Sequence, residues 1–457
     1  MQRADSMSFM RAPGVTGLDA WSGCWGAEVA CDACALPELA VLPVFRSYRF
    51  LRKGFAMKRT FLSALMAGLG AVLISSPAVA QKRYDSGAND KEIKIGGVSP
   101  YSGPASSYGT IGKGIKAYFD KVNAEGGING RRINFISYDD GYNPARTVEM
   151  TRKLVEQDEV LFVFNILGTP TNSAVHKYMN QKKVPQLFNA TGATKWGDPK
   201  GYPWTMGWQP SYQSEALIYA QHILETKPNA KIGIIYQNDD YGRDYLKGFE
   251  DGLGDKAKTM IVKKVSYEAT DATIDSQMVE LKASGADTFF NITIPKFAAQ
   301  AIKKAADIGW KPTHYLNGVS ASVGATIIPA GPENAVGVIT AYYLKDPTDS
   351  AWQATPEYRD WKAWMDKYYP GGDLKDANNV YAYTVSQSLV EVLKKAGDNL
   401  TRDNIMKTAA NIEHNLPMLL PGVNVKTGPD DFFPIERQQL QRWDGKNWVR
   451  FGKVYGR

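Results

Sequence analysis

Two carboxylate pairs, Asp139-Asp140 and Asp239-Asp240, are the first residues in the sequence whose types could do acid–base chemistry. Such chemistry needs two carboxylates held at different pKa values by their surroundings. Both pairs stand at the ends of strand-like runs, beside glycine or tyrosine, and nothing near them completes a catalytic set. No Ser/His/Asp order and no phosphate loop is present, and His176, His222, His314 and His414 lie far apart without metal-ligand spacing. Cys31 and Cys34 form a CxxC, but no fourth ligand accompanies them and no strand–helix context surrounds them. The chemistry that remains is binding. In Leu167-Gly168-Thr169-Pro170-Thr171-Asn172, Thr169 suits an N-cap and Pro170 the first helical position. Free N–H groups at a helix start form an anion site. Tyr101, Tyr108 and Tyr241 stand in polar loops, where a ring can face a ligand instead of a core.

The elements that must carry these loops follow from periodicity. Ile93, Ile95 and Val98 mark a strand, and the Ser, Gly and Pro that follow mark a loop. Ile111, Ile115, Tyr118, Phe119 and Val122 recur at helical spacing, stopped by Gly126-Gly127 and Asn129-Gly130. Strand, loop, helix, strand opens a parallel α/β sheet, which binds ligands at the carboxyl edge of its strands. The alternation continues through strands at 161–165 and 184–188, then through a second half with strands at 232–236, 260–265 and 288–292. Beyond Gly337 it loosens into a strand at 338–342, a tryptophan-rich helix (358–368), a long helix (379–395) and a hairpin across Asp444-Gly445.

The chain has 457 residues with a net charge of +7. Residues 57–80, MKRTFLSALMAGLGAVLISSPAVA, have the charged start, apolar run and small-residue end of a cleaved secretory signal. Residues 1–56 before it read as a mis-assigned or disordered extension. The remaining 377 residues have no cysteine and a charge of +4 without a basic run, so nucleic acid is not an expected partner. The expected destination is the periplasm.

IGGVSPYSGPASSYG, NAEGGINGR, SYDDGYNP, KLVEQDEV, QNDDYGRDYLKGF and KASGADTFF occur in this order between Lys91 and Tyr343. Together they resemble the leucine/isoleucine/valine-binding type of periplasmic solute-binding protein of ABC transporters. The resemblance implies an α/β fold of two Rossmann-like lobes with parallel central sheets, joined by three hinge crossings. Residues 91–211 and 340–420 would form one lobe, and 212–339 with 421–457 the other. It further implies a clamp closing on a small ligand, no enzyme activity, no cofactor and no metal. An inner-membrane ABC permease is the implied partner, and a monomer is the expected state. The aspartate pairs become turn and helix-start residues. Leu167, Gly168 and Thr169 become the ligand-carboxylate loop, with Ala190, Thr191 and Gly192 the equivalent loop of the next strand. Tyr108 and Tyr241 match ligand-facing aromatics on opposite lobes, and Tyr101 is a third.

One departure bears on the ligand. Amino-acid binders of this family place an acid in the stretch occupied here by Pro295-Lys296-Phe297, and no Asp or Glu lies between Asp287 and Asp307. An ammonium left unpaired in a closed cleft loses about 2–5 kcal/mol. The expected ligand therefore keeps a carboxylate and lacks the amine. Tyr101, Tyr108, Tyr241, Phe297 and Trp196 point to an aromatic acid, since ring stacking adds about 0.5–1.5 kcal/mol per pair. Branched-chain or other hydrophobic amino acids are the alternative. A sensory ligand-binding domain, which shares this fold, is the rival of another class, disfavoured because no membrane span or signalling domain follows.

Overall fold

The computed structural model describes residues 82–456; the signal-like segment, the extension before it and the CxxC lie outside them. Eight residues, Glu92–Ser99, form β1, whose alternating and then continuous apolar positions are buried on both faces. The chain runs on through α1 (Gly109–Ala124), β2 (Arg132–Asp139), α2 (Pro144–Glu156), β3 (Phe162–Phe164), α3 (Thr169–Lys182), β4 (Gln186–Asn189) and β5 (Thr205–Gly207). These strands make one parallel sheet in the order β2-β1-β3-β4-β5.

The second half begins with α4 (Tyr212–Thr226), β6 (Ile232–Gln237), α5 (Asp240–Leu253), β7 (Ile261–Tyr267), α6 (Asp275–Ala283), β8 (Thr288–Ile292), α7 (Pro295–Asp307), β9 (Thr313–Leu316) and β10 (Ile339–Tyr342). After α8 (Pro356–Tyr368), α9 (Ala377–Ala396) and α10 (Arg402–Ala409) the chain returns as β11 (Gln438–Trp443) and β12 (Trp448–Tyr455). The second sheet has the order β12-β11-β10-β9-β8-β6-β7. It is parallel through β10 and antiparallel beyond, because β11 and β12 form a hairpin that pairs along β10. The boundary expected at 339/340 therefore falls inside β10, and the chain leaves this lobe after that strand instead of before it.

Helix α9 belongs to the first lobe. Gly114 of α1 lets it approach so closely that a Cβ there would sit 2.8 Å from the Cβ of Ala382. Tyr118 and Tyr383 meet edge to face with centroids 5.2 Å apart, and Trp364 of α8 lies 5.0 Å from Tyr383. The tryptophan-rich helix is thus lobe core, with Trp361 and Trp364 buried. Three segments cross between lobes: one between β5 and α4, one after β10, and one leading to β11. The last two pair with each other, Lys345 N–H donating to Met418 O and Leu420 N–H to Tyr343 O, both at 2.9 Å.

Candidate functional site

Strand ends of the first sheet turn sharply. Tyr142, Asn165 and Phe188, which follow or end β2, β3 and β4, have φ of 62°, 58° and 52°. Left-handed backbone in such residues is costly and is kept where surrounding contacts fix it. At Asn165 that turn lets the side-chain Nδ2 donate to Phe188 O (2.6 Å) and to Tyr381 Oη (2.9 Å). Gly168 takes φ 96°, and a Cβ there would lie 2.5 Å from the Tyr142 ring, so only glycine fits between helix and ring. The N-cap of α3 is this Gly168, not the Thr169 expected from sequence, and Thr169 begins the helix.

A cavity between the lobes is lined from both sides. The first lobe contributes Tyr108, Tyr142, Leu167, Gly168, Thr169, Ala190, Asn378 and Tyr381. The second contributes Tyr212, Glu215, Tyr241, Ile294, Gly318, Val319 and Ser322, with Tyr342 and Tyr343 from the end of β10 and the crossing after it. Space for water centres inside amounts to about 50 Å³, room for one small molecule. Seven tyrosines stand in this wall.

Three tyrosine hydroxyls are set by amides behind them. Gln237 Nε2 donates to Tyr142 Oη at 3.3 Å, while its Oε1 accepts from Tyr267 Oη at 3.1 Å. Asn317 Nδ2 donates to Tyr241 Oη at 2.7 Å, while its Oδ1 accepts from Thr293 N–H at 3.3 Å. Asn165 is fixed by the Phe188 carbonyl as described. In each case the amide gives its N–H to the hydroxyl oxygen, so the hydroxyl proton is left to point elsewhere. Burial pushes the Tyr142, Tyr241 and Tyr381 hydroxyls well above their ordinary pKa, so these protons stay in place at neutral pH. The first-turn amides of α3 lack intrahelical acceptors by geometry and carry the positive end of the helix dipole.

Glu215 is the acid that sequence reasoning missed. It sits in the first turn of α4, is 3% exposed and lines the cavity. Its Oε1 accepts from Gly318 N–H and Tyr219 Oη, both at 2.7 Å, and Gln438 Nε2 lies 3.4 Å from Oε2. Burial pushes its carboxyl up to about 7, against the pull of these donors. In sequence it looks like an exposed residue near a helix start; Gly318 after β9 and Gln438 on β11, both far along the chain, cover it.

Of the residues expected at the site, Tyr108, Leu167, Gly168, Thr169, Ala190 and Tyr241 come together on the cavity wall. Six do not line it. Tyr101 hydrogen-bonds Ser137 at 2.6 Å, and Thr191 Oγ1 lies 2.7 Å from Thr169 Oγ1, one layer behind. Gly192 is held against Pro210 and Tyr212, where a Cβ would lie 2.2 Å from a carbonyl oxygen. Pro295 lies on a separate depression with Lys296, whose Nζ donates to Asp271 O at 2.8 Å. Phe297 is fully buried with its ring 4.5 Å from that of Tyr267, and Trp196 packs against His176 and Tyr202. The run between Asp287 and Asp307 brings no acid to the cavity, but Glu215 of α4 does, which corrects the expectation that an ammonium there would find no acid.

The aspartate pairs do structural work. Asp139 accepts from Ser102 and Gly141 N–H, Asp140 from Tyr142 N–H and Thr147 Oγ1, and Asp239 caps α5 through Tyr241 N–H and Gly242 N–H. Across the cleft, Lys195 Nζ meets Asp240 Oδ2 at 2.9 Å. Thr194 donates to Asp244 Oδ2 through its N–H (2.8 Å) and Oγ1 (2.9 Å). Tyr108 Oη donates to Val319 O at 3.0 Å. These contacts hold the two lobes together over the cavity.

Among solved structures, a branched-chain amino acid ABC transporter protein from Thermus thermophilus with bound valine superposes with a TM-score of 0.72. It is 17% identical, and the match covers 81% of this chain and 98% of that one. A solute-binding protein of an ABC transporter from R. palustris in complex with 4-hydroxybenzoate gives a TM-score of 0.67 at 18% identity, covering 80% and 97%. Both likenesses are of fold, that of the type I periplasmic binding proteins. A curated relative, Leu/Ile/Val-binding protein homolog 8 of Brucella suis biovar 1, is 23% identical over 398 residues, 84% of this chain and 95% of the relative. Residues 92–447 match the family described as periplasmic binding protein. With that match spanning well over half of its length, the chain belongs to the periplasmic binding protein family.

Proposed function

We propose that this protein captures a small aromatic carboxylate between its lobes by hinge closure and delivers it to an inner-membrane ABC permease. The observation that carries the reading is the direction of the polar groups. Tyr142, Tyr241 and Tyr381 each have a hydroxyl oxygen occupied by an amide and a proton to give, beside the start of α3. A wall rich in donors favours an anion, and its tyrosine rings favour a flat apolar body. Solved relatives from Rhodopseudomonas palustris hold 4-hydroxybenzoate and 3,4-dihydroxybenzoic acid, which supports this class.

Glu215 favours a second reading, a branched-chain or other hydrophobic amino acid whose ammonium would meet this carboxylate. The relatives named as Leu/Ile/Val-binding point the same way. A thermal-shift panel on the secreted form decides between the two. Ligand at a hundred times its dissociation constant adds about 2.7 kcal/mol of stability. Benzoate-type acids are expected to raise the melting temperature and leucine and valine to leave it unchanged. Stabilisation by leucine or valine, with none by any simple acid, sinks the aromatic-acid reading.

A further inference from the structure

Charge in the cavity wall is one-sided. Among the described residues that line it, Glu215 is the single carboxylate, and no lysine, arginine or histidine stands with it. Its surroundings are neutral on every element packed against it. Tyr219 of α4, Tyr245 of α5 and Gln438 of β11 turn polar groups towards the carboxyl, and Gly318 after β9 gives its N–H. Burial keeps Tyr219 and Tyr245 protonated at neutral pH, as it does Tyr212, Tyr342 and Tyr343 of the same wall. Behind the wall, Asp376 caps α9 and accepts from Ser322 Oγ (2.8 Å) and Asn378 N–H (3.0 Å). Tyr212 links Glu215 to the start of α3: it precedes Glu215 by one turn of α4, and its hydroxyl faces Thr169 and Thr191. One side chain and one helical turn therefore separate Glu215 from a carboxylate seated at α3.

We infer that the protein takes up a proton together with its acid ligand, and that Glu215 is where this proton sits. The inference rests on the acid-binding reading of the cavity and adds a second ligand to it. Two carboxylates enclosed in one space without a cation repel strongly, and one of them gives way by protonation. The balance is one anion and one proton in from solvent: the Glu215 carboxylate becomes a carboxylic acid, the net charge of the cavity is unchanged, and no bond of the ligand is altered. Burial already lifts this group to about 7, and an anion beside it lifts it further. Acid binding is then strongest below neutrality and weakens as pH rises, because the proton must first be drawn from solvent. An amino acid needs no such proton, since its ammonium meets the carboxylate directly.

Calorimetric titration of benzoate and 4-hydroxybenzoate into wild type and Glu215→Gln tests this. Phosphate and Tris buffers differ in their heats of ionisation, so the same titration in each counts the protons taken up. Wild type is expected to take up about one proton at pH 8 and close to none at pH 5.5, with the dissociation constant rising about tenfold between pH 8 and pH 9. Glu215→Gln is neutral at every pH. It is expected to take up no proton, to hold one affinity across this range, and to bind the acid about tenfold tighter than wild type at pH 8. Acid binding to wild type at pH 8 without proton uptake overturns the inference while leaving the acid reading standing. So does a variant that binds the acid more weakly than wild type at that pH. Uptake that survives the substitution belongs to another group, such as Asp376, and overturns it as well. If the variant does not fold, the two-buffer comparison on wild type decides alone. If no aromatic acid binds and leucine or valine does, the acid reading falls and this inference with it.

Discussion

Gln237, Asn317 and Asn165 do not line the cavity, yet they determine what it offers, since each turns a tyrosine hydroxyl into a donor. Tyr241→Phe removes one such proton and strands Asn317 Nδ2. Titration should show about tenfold weaker acid binding, and denaturation a loss of about 1 kcal/mol; unchanged affinity would mean that hydroxyl does not face the ligand. Protonation gives a second residue-scale prediction. Glu215 is raised from 4.5 to about 7, so the folded state keeps its proton while the unfolded chain loses it. Its stabilising contribution is complete below about 4.5 and is lost as pH climbs towards 7, roughly 3 kcal/mol in all. Buried His314, lowered from 6.5 to about 3, has the opposite sign: its contribution is present above about 6.5 and lost as pH falls. The two oppose each other in the whole protein, so the test is a difference. The stability of wild type relative to Glu215→Gln should decline between pH 4.5 and 7 in paired urea denaturations, and a flat difference would contradict a buried, proton-holding Glu215. Tyr108 and Tyr241 were legible in the sequence because they stand in loops at strand ends. Tyr212, Tyr342, Tyr343 and Tyr381 were not, because a tyrosine in a helix or strand run looks like core until the lobes meet.

At the scale of elements, α5 does two jobs. Its first turn presents Tyr241 to the cavity, and the same face carries Asp240 and Asp244 to the opposite lobe. Lys195 and Ser173 hold the Asp240 carboxyl below the usual range, so the latch is ionised at neutral pH. Asp244→Asn keeps the shape and weakens two bonds from Thr194. Because the latch does not line the cavity, dissociation constants of all ligands should rise together, by about fivefold, with their rank order kept. A change of rank in the same titrations would mean that Asp244 acts on the ligand itself. Period and turn residues gave the order and type of most elements, since apolar spacing of two and of three to four separates strand from helix. The N-cap of α3 was misplaced by one residue because a glycine at φ 96° and a capping threonine read alike without the ring of Tyr142 above them. The boundary within β10 was misplaced because strand pairing with a hairpin nearly a hundred residues later leaves no local mark.

For the whole molecule, the cavity is walled by both lobes, so on the proposed function affinity is a property of closure instead of either lobe alone. The paired crossings Tyr343–Lys345 and Met418–Leu420 tie the hinge across distant parts of the sequence. The two-lobed plan was readable from the repeated alternation and the family blocks. The cavity was readable only in part, because half of its wall comes from returning segments.

The hairpin of β11 and β12, residues 438–455, completes the second sheet, and Gln438 on it also backs Glu215. During synthesis, β10 must therefore wait as a bare edge while the chain from Tyr343 to Arg437 is made. A sheet that closes so late, by contacts far apart in sequence, forms slowly. A newly made chain consequently remains open to rescue or to clumping through that edge until β11 and β12 arrive.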